Sequence, residues 1–181
     1  PVNLELREGQ RLKVRDLIRA TAVKGANDTA TVLAEAISGS EAAFAKRMNR
    51  TAKELGLTRT TFKNPHGLTQ KGHLSTAQDV ATMMQAFNKD FANYVHLFSR
   101  KMTKLSNRKK IIHSGRRLLN DYEHAGAVKT GYTRASGFSG AMVAEKRNNR
   151  IIVVVFGGKS TKTRNAQLIK LAELGFGKLQ Q

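Results

Sequence analysis

The sequence has no cysteine and no tryptophan, only 13 acidic residues, and no apolar run long enough to cross a bilayer. Each absence removes a class of explanation. Without cysteine there is no disulfide framework, no thiolate metal site and no thiol nucleophile. A transmembrane helix needs ~20 apolar residues in succession, whereas the longest apolar stretch, Ile151 to Phe156, has the length of a buried strand. Aromatic residues make up 6% of the chain, few for a surface that stacks on nucleic-acid bases. Acid is so scarce beside 32 Lys and Arg that the formal net charge is +19. Such a surface seeks polyanions: nucleic acid, anionic lipid headgroups or an acidic wall polymer. The charge is densest in 99–117, where Arg100, Lys101, Lys104, Arg108, Lys109, Lys110, Arg116 and Arg117 stand without one acid.

The 181 residues suit one domain and can bury a core. The first residue is Pro1 rather than Met, so a processed or truncated start is expected, and a missing leader says little about location.

Hydrophobic spacing then gives a layout. Residues 4–14 read as extended about a Glu8-Gly9 turn. Residues 15–24 read as a helix broken by Gly25, and Asn27 or Asp28 is placed to cap the next, which ends near Gly39. Ser40 caps a third helix, stopped by Gly56. A loop rich in Thr, Asn, Pro, Gly and His covers 58–74, and Ser75 with Gln78 forms a capping box for a helix to about Asn88. A shorter helix is predicted around Phe91–Phe98. From there the character changes: 102–113 is basic and strand-like, 118–128 irregular, and 127–133, 138–145 and 150–156 read as strands, the last two joined at Asn148-Asn149. A final helix runs from about Arg164 to Leu174 and stops at Gly175. The fold class is therefore α+β: a mainly helical part, 1–98, then a small antiparallel sheet with a closing C-terminal helix, 99–181. The strand 151–156 is apolar at every position, which implies cover on both faces and a sheet wider than these strands supply, with the missing ones expected before Pro1.

Lys129-Thr130-Gly131 sets a cation, a hydroxyl and a bare backbone in succession along one of these strands. Such a triplet is one of the motifs of penicillin-recognising serine enzymes. Further stretches join it in order: Val14 to Ile18 running into Lys24-Gly25-Ala26-Asn27-Asp28; Ser40 to Phe44 with Glu54 to Leu57; Phe62 to Leu68; Ser75 to Asp79; Val128 to Thr133 with Ala135 to Phe138; and Gly157-Gly158 with Arg164. Together they resemble the D-alanyl-D-alanine carboxypeptidases, the low-molecular-weight penicillin-binding proteins, over the C-terminal part of the catalytic domain.

The resemblance implies a partial domain of the β-lactamase and transpeptidase-like kind, and an acyl transfer in which a serine cleaves a peptide before its terminal D-alanine. It assigns Lys129 to the substrate carboxylate and proton relay, Thr130 and Arg164 to the carboxylate, and Gly131 to close approach of the substrate backbone. Tyr132 would supply a backbone N–H to the oxyanion hole, and Asn27 would hold the substrate amide and relay lysine. The implied ligands are stem peptides ending in D-Ala-D-Ala and β-lactams; the implied place is the periplasm, and no metal or other cofactor is needed. The five histidines, His66, His73, His96, His113 and His124, show no ligand spacing and are assigned to loops or core. Arg116 and Arg117 are further candidates for the groove.

Two departures stand out. The family's Ser-x-x-Lys nucleophile is expected upstream of Pro1, since Ser106-Asn107-Arg108-Lys109 fits the pattern only within the basic strand-like stretch. The serine of the Ser-x-Asn motif falls on Gly25. This chain by itself is thus expected to be inactive. The rival readings are a basic nucleic-acid-binding module, which the scarcity of aromatics disfavours, and a wall-binding protein that keeps the groove without chemistry.

Overall fold

The structure, a computed structural model, describes residues 2–107 and 109–179. Arg108 of the basic run, and with it the middle of the 106–109 pattern, lies outside them.

The helical half begins with α1, Val14–Arg19, which passes directly into one wide π-helical turn, Ala20–Lys24. Gly25 ends that turn at φ 73°, a left-handed conformation in which a Cβ is strained. Next come α2, Asn27–Ser38, and α3, Glu41–Glu54, the latter capped as its sequence predicts by Ser40, whose hydroxyl accepts from the Ala43 N–H at 3.1 Å. After the loop come α4, Ala77–Asp90, and α5, Ala92–Val95, with a 3₁₀ turn at His96–Phe98. Strands β1, Met102–Lys104, and β2, Lys110–Ile112, form a separate antiparallel hairpin. A short helix α6, Arg116–Asp121, leads into β3, Ala125–Thr133, β4, Gly137–Lys146, and β5, Asn149–Gly158, an antiparallel sheet in that order. Helix α7, Thr161–Lys178, closes the chain, opened by a reciprocal capping box between Ser160 and Thr163.

Several local expectations are corrected. Residues 4–14 form no strand: the Leu4 and Leu6 N–H groups donate to the Asp28 carboxylate instead of to a partner strand. The residue before α2 is Ala26, with no side-chain cap; Asp28 lies inside the first turn, where its Oδ1 also accepts from the Thr29 N–H at 2.9 Å. The cap of α4 is Thr76, accepting from the Asp79 N–H at 3.1 Å, rather than Ser75. Asp79 in turn accepts from the Arg59 N–H and the Thr60 hydroxyl, which fixes the preceding loop to this turn. The irregular approach at 118–128 opens inside α6, whose Leu118 and Leu119 are buried, and ends in β3. The β4–β5 turn is Arg147-Asn148, with Lys146 opposite Asn149 and Arg147 at φ 54°. Gly175 does not stop α7: a Cβ there would stand 2.8 Å from Ile151 Cδ1, so the glycine lets the helix lie close on β5.

Two apolar clusters result. Leu168, Ala172 and Phe176 of α7 and Leu118 of α6 pack on Val128, Met142, Val153 and Val155 of the sheet. Full burial of such side chains is worth about 1.5–3 kcal/mol each. The second cluster joins Leu4, Ala20, Val23 and Ala26 to Leu105 and Ile111 from the hairpin. Helix α4 also packs against β5. β3 and β5 are the edges of the described sheet, and the β3 edge faces the helical half.

Candidate active site

An open cavity of about 1060 Å³ lies between the helical half and the sheet. Gly25 and Asn27 reach it from the end of the π-helical turn, His66 to Thr69 from the loop, and Met83 and Met84 from α4. The opposite wall is the β3 edge from Lys129 to Arg134, the start of β4, and Arg164 from α7. All the residues assigned from the sequence, Asn27, Lys129, Thr130, Gly131, Tyr132 and Arg164, therefore share one lining.

Lys129 is held by its own strand, its Nζ donating to the Thr130 carbonyl at 2.9 Å. The ammonium lies 3.2 Å from the point where a Cβ on Gly25 would be. Burial pushes the Lys129 pKa down. His113, just past β2, is 2% exposed. Burial, and then the Lys129 charge, lower its pKa to about 4, against the pull of the nearby Phe98 and Val128 carbonyls. Its Nδ1 accepts from the Gly115 N–H at 2.8 Å, so the neutral ring carries its proton on Nε2.

The Thr130 hydroxyl, 8% exposed, donates to Ser114 Oγ at 3.0 Å. Ser114 is set by its own N–H, which donates to the Val23 carbonyl at 2.9 Å. Asn27 donates from both its backbone N–H (2.8 Å) and Nδ2 (3.1 Å) to the Val2 carbonyl, so a segment of this chain already rests on the amide. At Gly131 a Cβ would meet no atom within 4 Å: the protein leaves that flank of the strand open. The Tyr132 ring lies on Phe138, centroids 4.4 Å apart, and forms an exposed lip.

Arg164 is 3% exposed, quite unlike a surface arginine at a helix start. Its stem passes over two glycines: a Cβ on Gly140 would stand 3.1 Å from Arg164 Cδ, and one on Gly158 3.1 Å from its Cβ. Nε and Nη2 both donate to Asn165 Oδ1, at 3.1 and 2.9 Å. Burial lowers its pKa, yet a guanidinium stays charged at physiological pH.

Two lining residues were not legible in the sequence. Ser114 carries no motif, and only the return of the hairpin brings it to Thr130. His66 was assigned to loop or core; it is in the loop, but it also lines the cavity, with Nδ1 accepting from the Leu68 N–H at 3.2 Å and Nε2 3.5 Å from Glu41 Oε1. Arg116 and Arg117 are exposed on α6 and do not line the cavity. Neither does Ser106, which lies at the hairpin turn with its N–H donating to Asp16 Oδ2 at 2.9 Å. Among the described residues no group of three His, Asp or Glu is placed to hold a metal ion. The lining thus brings the Lys129 ammonium, the Arg164 guanidinium and the Thr130 and Ser114 hydroxyls to an unpaired strand edge, which suits an extended chain ending in a carboxylate.

Comparisons with known proteins point to one family. The family described as D-alanyl-D-alanine carboxypeptidase matches residues 2–160. The chain is 37% identical over 177 residues to D-alanyl-D-alanine carboxypeptidase DacF of Bacillus subtilis, covering 97% of this chain and 46% of that protein. It is 31% identical over 171 residues to DacA of Escherichia coli, covering 94% of this chain and 42% of that one. It thus spans less than half the length of either relative. Among solved structures, penicillin-binding protein 5 of Haemophilus influenzae superposes with a TM-score of 0.89 at 31% identity, over 98% of this chain and 52% of that one. Penicillin-binding protein D2 of Listeria monocytogenes, in its cefotaxime-bound form, gives 0.87 at 30% identity, over 97% of this chain and 71% of that one.

Proposed function

The chain belongs to the D-alanyl-D-alanine carboxypeptidase family, and on that premise we propose that its cavity receives the C-terminal end of a peptide ending in D-Ala-D-Ala, laid against β3 as an added strand. The observation that carries the reading is the convergence of Asn27, the Lys129-Thr130-Gly131 edge and the buried Arg164 on one cavity. In it, Lys129 and Arg164 neutralise the terminal carboxylate, and the Thr130 O–H donates to it in place of the Ser114 Oγ it now meets. The open flank of Gly131 admits the peptide backbone, and the Tyr132 N–H donates to the oxyanion; such a donor is typically worth about 3 kcal/mol in the transition state. Asn27 takes the substrate amide in place of the Val2 carbonyl it now holds. β-Lactams, which present a carboxylate beside a reactive amide, use the same contacts; the relative from Listeria monocytogenes was solved with cefotaxime bound.

The reaction is acyl transfer. A serine Oγ bonds to the penultimate carbonyl carbon, the peptide C–N bond breaks, the leaving D-alanine takes a proton, and water then hydrolyses the ester. In this reading the chain supplies binding and charge to the step; Ser106, the one serine in a Ser-x-x-Lys pattern, stands away from the cavity. In this reading the chain is a partial domain, 1–98 helical and 99–181 sheet with closing helix, of a periplasmic enzyme of the bacterial envelope. Among its described residues no helix is long and apolar enough to cross a membrane.

The test is labelling with fluorescent penicillin together with equilibrium binding of a D-Ala-D-Ala peptide. Residues 1–181 should bind the peptide without being labelled, and a longer form carrying a Ser-x-x-Lys helix should be labelled at that serine. Covalent label at Ser106 would overturn the assignment of the nucleophile. Peptide binding that survives loss of both Lys129 and Arg164 would overturn the assignment of the cavity.

A further inference from the structure

The basic run of 99–117 is absorbed by nothing in the cavity, yet the fold gives it a definite shape. Strands β1 and β2 pair with Met102 opposite Ile112, Thr103 opposite Ile111 and Lys104 opposite Lys110. The alternation sorts the hairpin into two faces. Thr103, Leu105, Ile111 and His113 are buried, Leu105 and Ile111 against the π-helical turn and Leu4. The outer face carries Met102 and Ile112 side by side, 50% and 52% exposed, and directly beside them the exposed pair Lys104 and Lys110. Lys101 and Lys109 extend the positive rim. Among the described residues none of these four lysines makes an ion pair. Two like charges directly opposite each other in an antiparallel pair are destabilising, and two large apolar side chains beside them gain nothing from water.

We propose that this outer face docks the chain on an anionic lipid surface, Met102 and Ile112 entering the interface while Lys101, Lys104, Lys109 and Lys110 meet the headgroups. The lysines alone would suit any polyanion. The exposed apolar pair at the centre of the basic rim selects a lipid interface, where apolar side chains gain burial and each nearby lysine adds electrostatic attraction. The anion also relieves the Lys104–Lys110 repulsion. Ser114, which follows β2 immediately after His113, lines the cavity, so a docked hairpin holds that wall near the lipid surface.

The experiment is co-sedimentation of the 181-residue chain with phosphatidylcholine vesicles, with and without phosphatidylglycerol. Binding should require phosphatidylglycerol and weaken as salt is raised. Lys104→Glu should weaken it by about thirtyfold, by the loss of one positive charge and the gain of one negative. The same change creates an opposite-charge pair with Lys110, so the hairpin is not put at risk. Met102→Thr and Ile112→Thr keep strand preference and net charge, and each should weaken vesicle binding by about fivefold, with the thermal unfolding midpoint as a check on folding. Equal affinity for neutral and anionic vesicles overturns the proposal. So does phosphatidylglycerol binding indifferent to both threonine variants, which would assign the face to a soluble polyanion such as a wall polymer or nucleic acid.

Discussion

The Lys129 ammonium faces Gly25 across the cavity, 3.2 Å from where a Cβ at position 25 would stand. In the proposed reading glycine occupies the place of a serine in the family's Ser-x-Asn pattern, and the residue is left-handed at φ 73°. A serine hydroxyl there would lie beside the ammonium, where a proton relay needs it, at the cost of a strained backbone and a displaced lysine tip.

Gly25→Ser, made in a longer form that carries the Ser-x-x-Lys helix, should raise the rate of acylation by fluorescent penicillin by about tenfold or more, since a missing acid–base group typically costs 10²–10⁴-fold. It should also lower stability by about 1 kcal/mol, because serine is strained in the left-handed region. Gly25→Asn, which tolerates that region but brings no hydroxyl, should leave the rate unchanged. An unaltered acylation rate in Gly25→Ser would remove position 25 from the relay.

Lys129→Met should separate function from stability. The pKa of Lys129 is lowered by burial, so its charge is a burden on the fold, and an apolar side chain of similar length should leave the denaturation midpoint equal or higher. Peptide binding should fall by about tenfold or more with loss of the cation, as should acylation of a longer form carrying the Ser-x-x-Lys helix. Urea unfolding and peptide titration on the same sample read both quantities.

Gly131→Ala tests the strand-addition reading. The protein offers no clash to the new methyl, so folding should be unaffected, while a ligand backbone lying on that flank would be pushed away and bind about tenfold more weakly. Gly140→Ala gives the contrast. Its methyl would meet Leu168 Cδ1 at 3.0 Å and Arg164 Cδ at 3.1 Å, so stability should drop by about 1–3 kcal/mol along with carboxylate binding. Full-affinity binding by Gly131→Ala would rule out close backbone contact there.

His113 predicts an acid-sensitive fold. Its folded pKa, about 4, lies below the ordinary 6.5, so the unfolded chain takes up the proton first as pH falls. The stability this supplies is complete above the unfolded value and is lost between about pH 6.5 and 4, to an extent of about 3 kcal/mol. Asp79 and Glu173 have lowered values, chiefly through the hydroxyl bonds from Thr60 and Tyr122, so their contribution is present above the ordinary carboxylate range and lost below it, in a more acid window. Urea unfolding across that range should show a clearly shallower slope for His113→Gln than for wild type, the remainder coming from His73, whose pKa burial also lowers.

Much of the fold was legible because its causes are local. The Ser40 cap, the break at Gly25 and the alternation that makes β3 to β5 each depend on residues within a turn or a strand of one another. The misreadings share the opposite cause. Asp28 was expected before the helix but lies in its first turn, where its carboxylate serves Leu4 and Leu6, distant in sequence, as well as the Thr29 N–H. Gly175 looked like a stop until Ile151 of β5 required a helix without a side chain at that point. Helix α6 is too short for periodicity to reveal, and its two leucines are defined only by the core they enter.

The same division holds for the site. By itself the sequence determined which chemistries are present, an ammonium, a hydroxyl and a bare backbone in consecutive positions, because strand geometry fixes their spacing wherever the strand lies. Only the tertiary structure decided that Asn27 faces that strand across one cavity, that Arg164, most of the chain away, stands in the strand's own wall, and that Ser114 and His66 join them. Those meetings depend on the packing of whole elements, which no local pattern encodes.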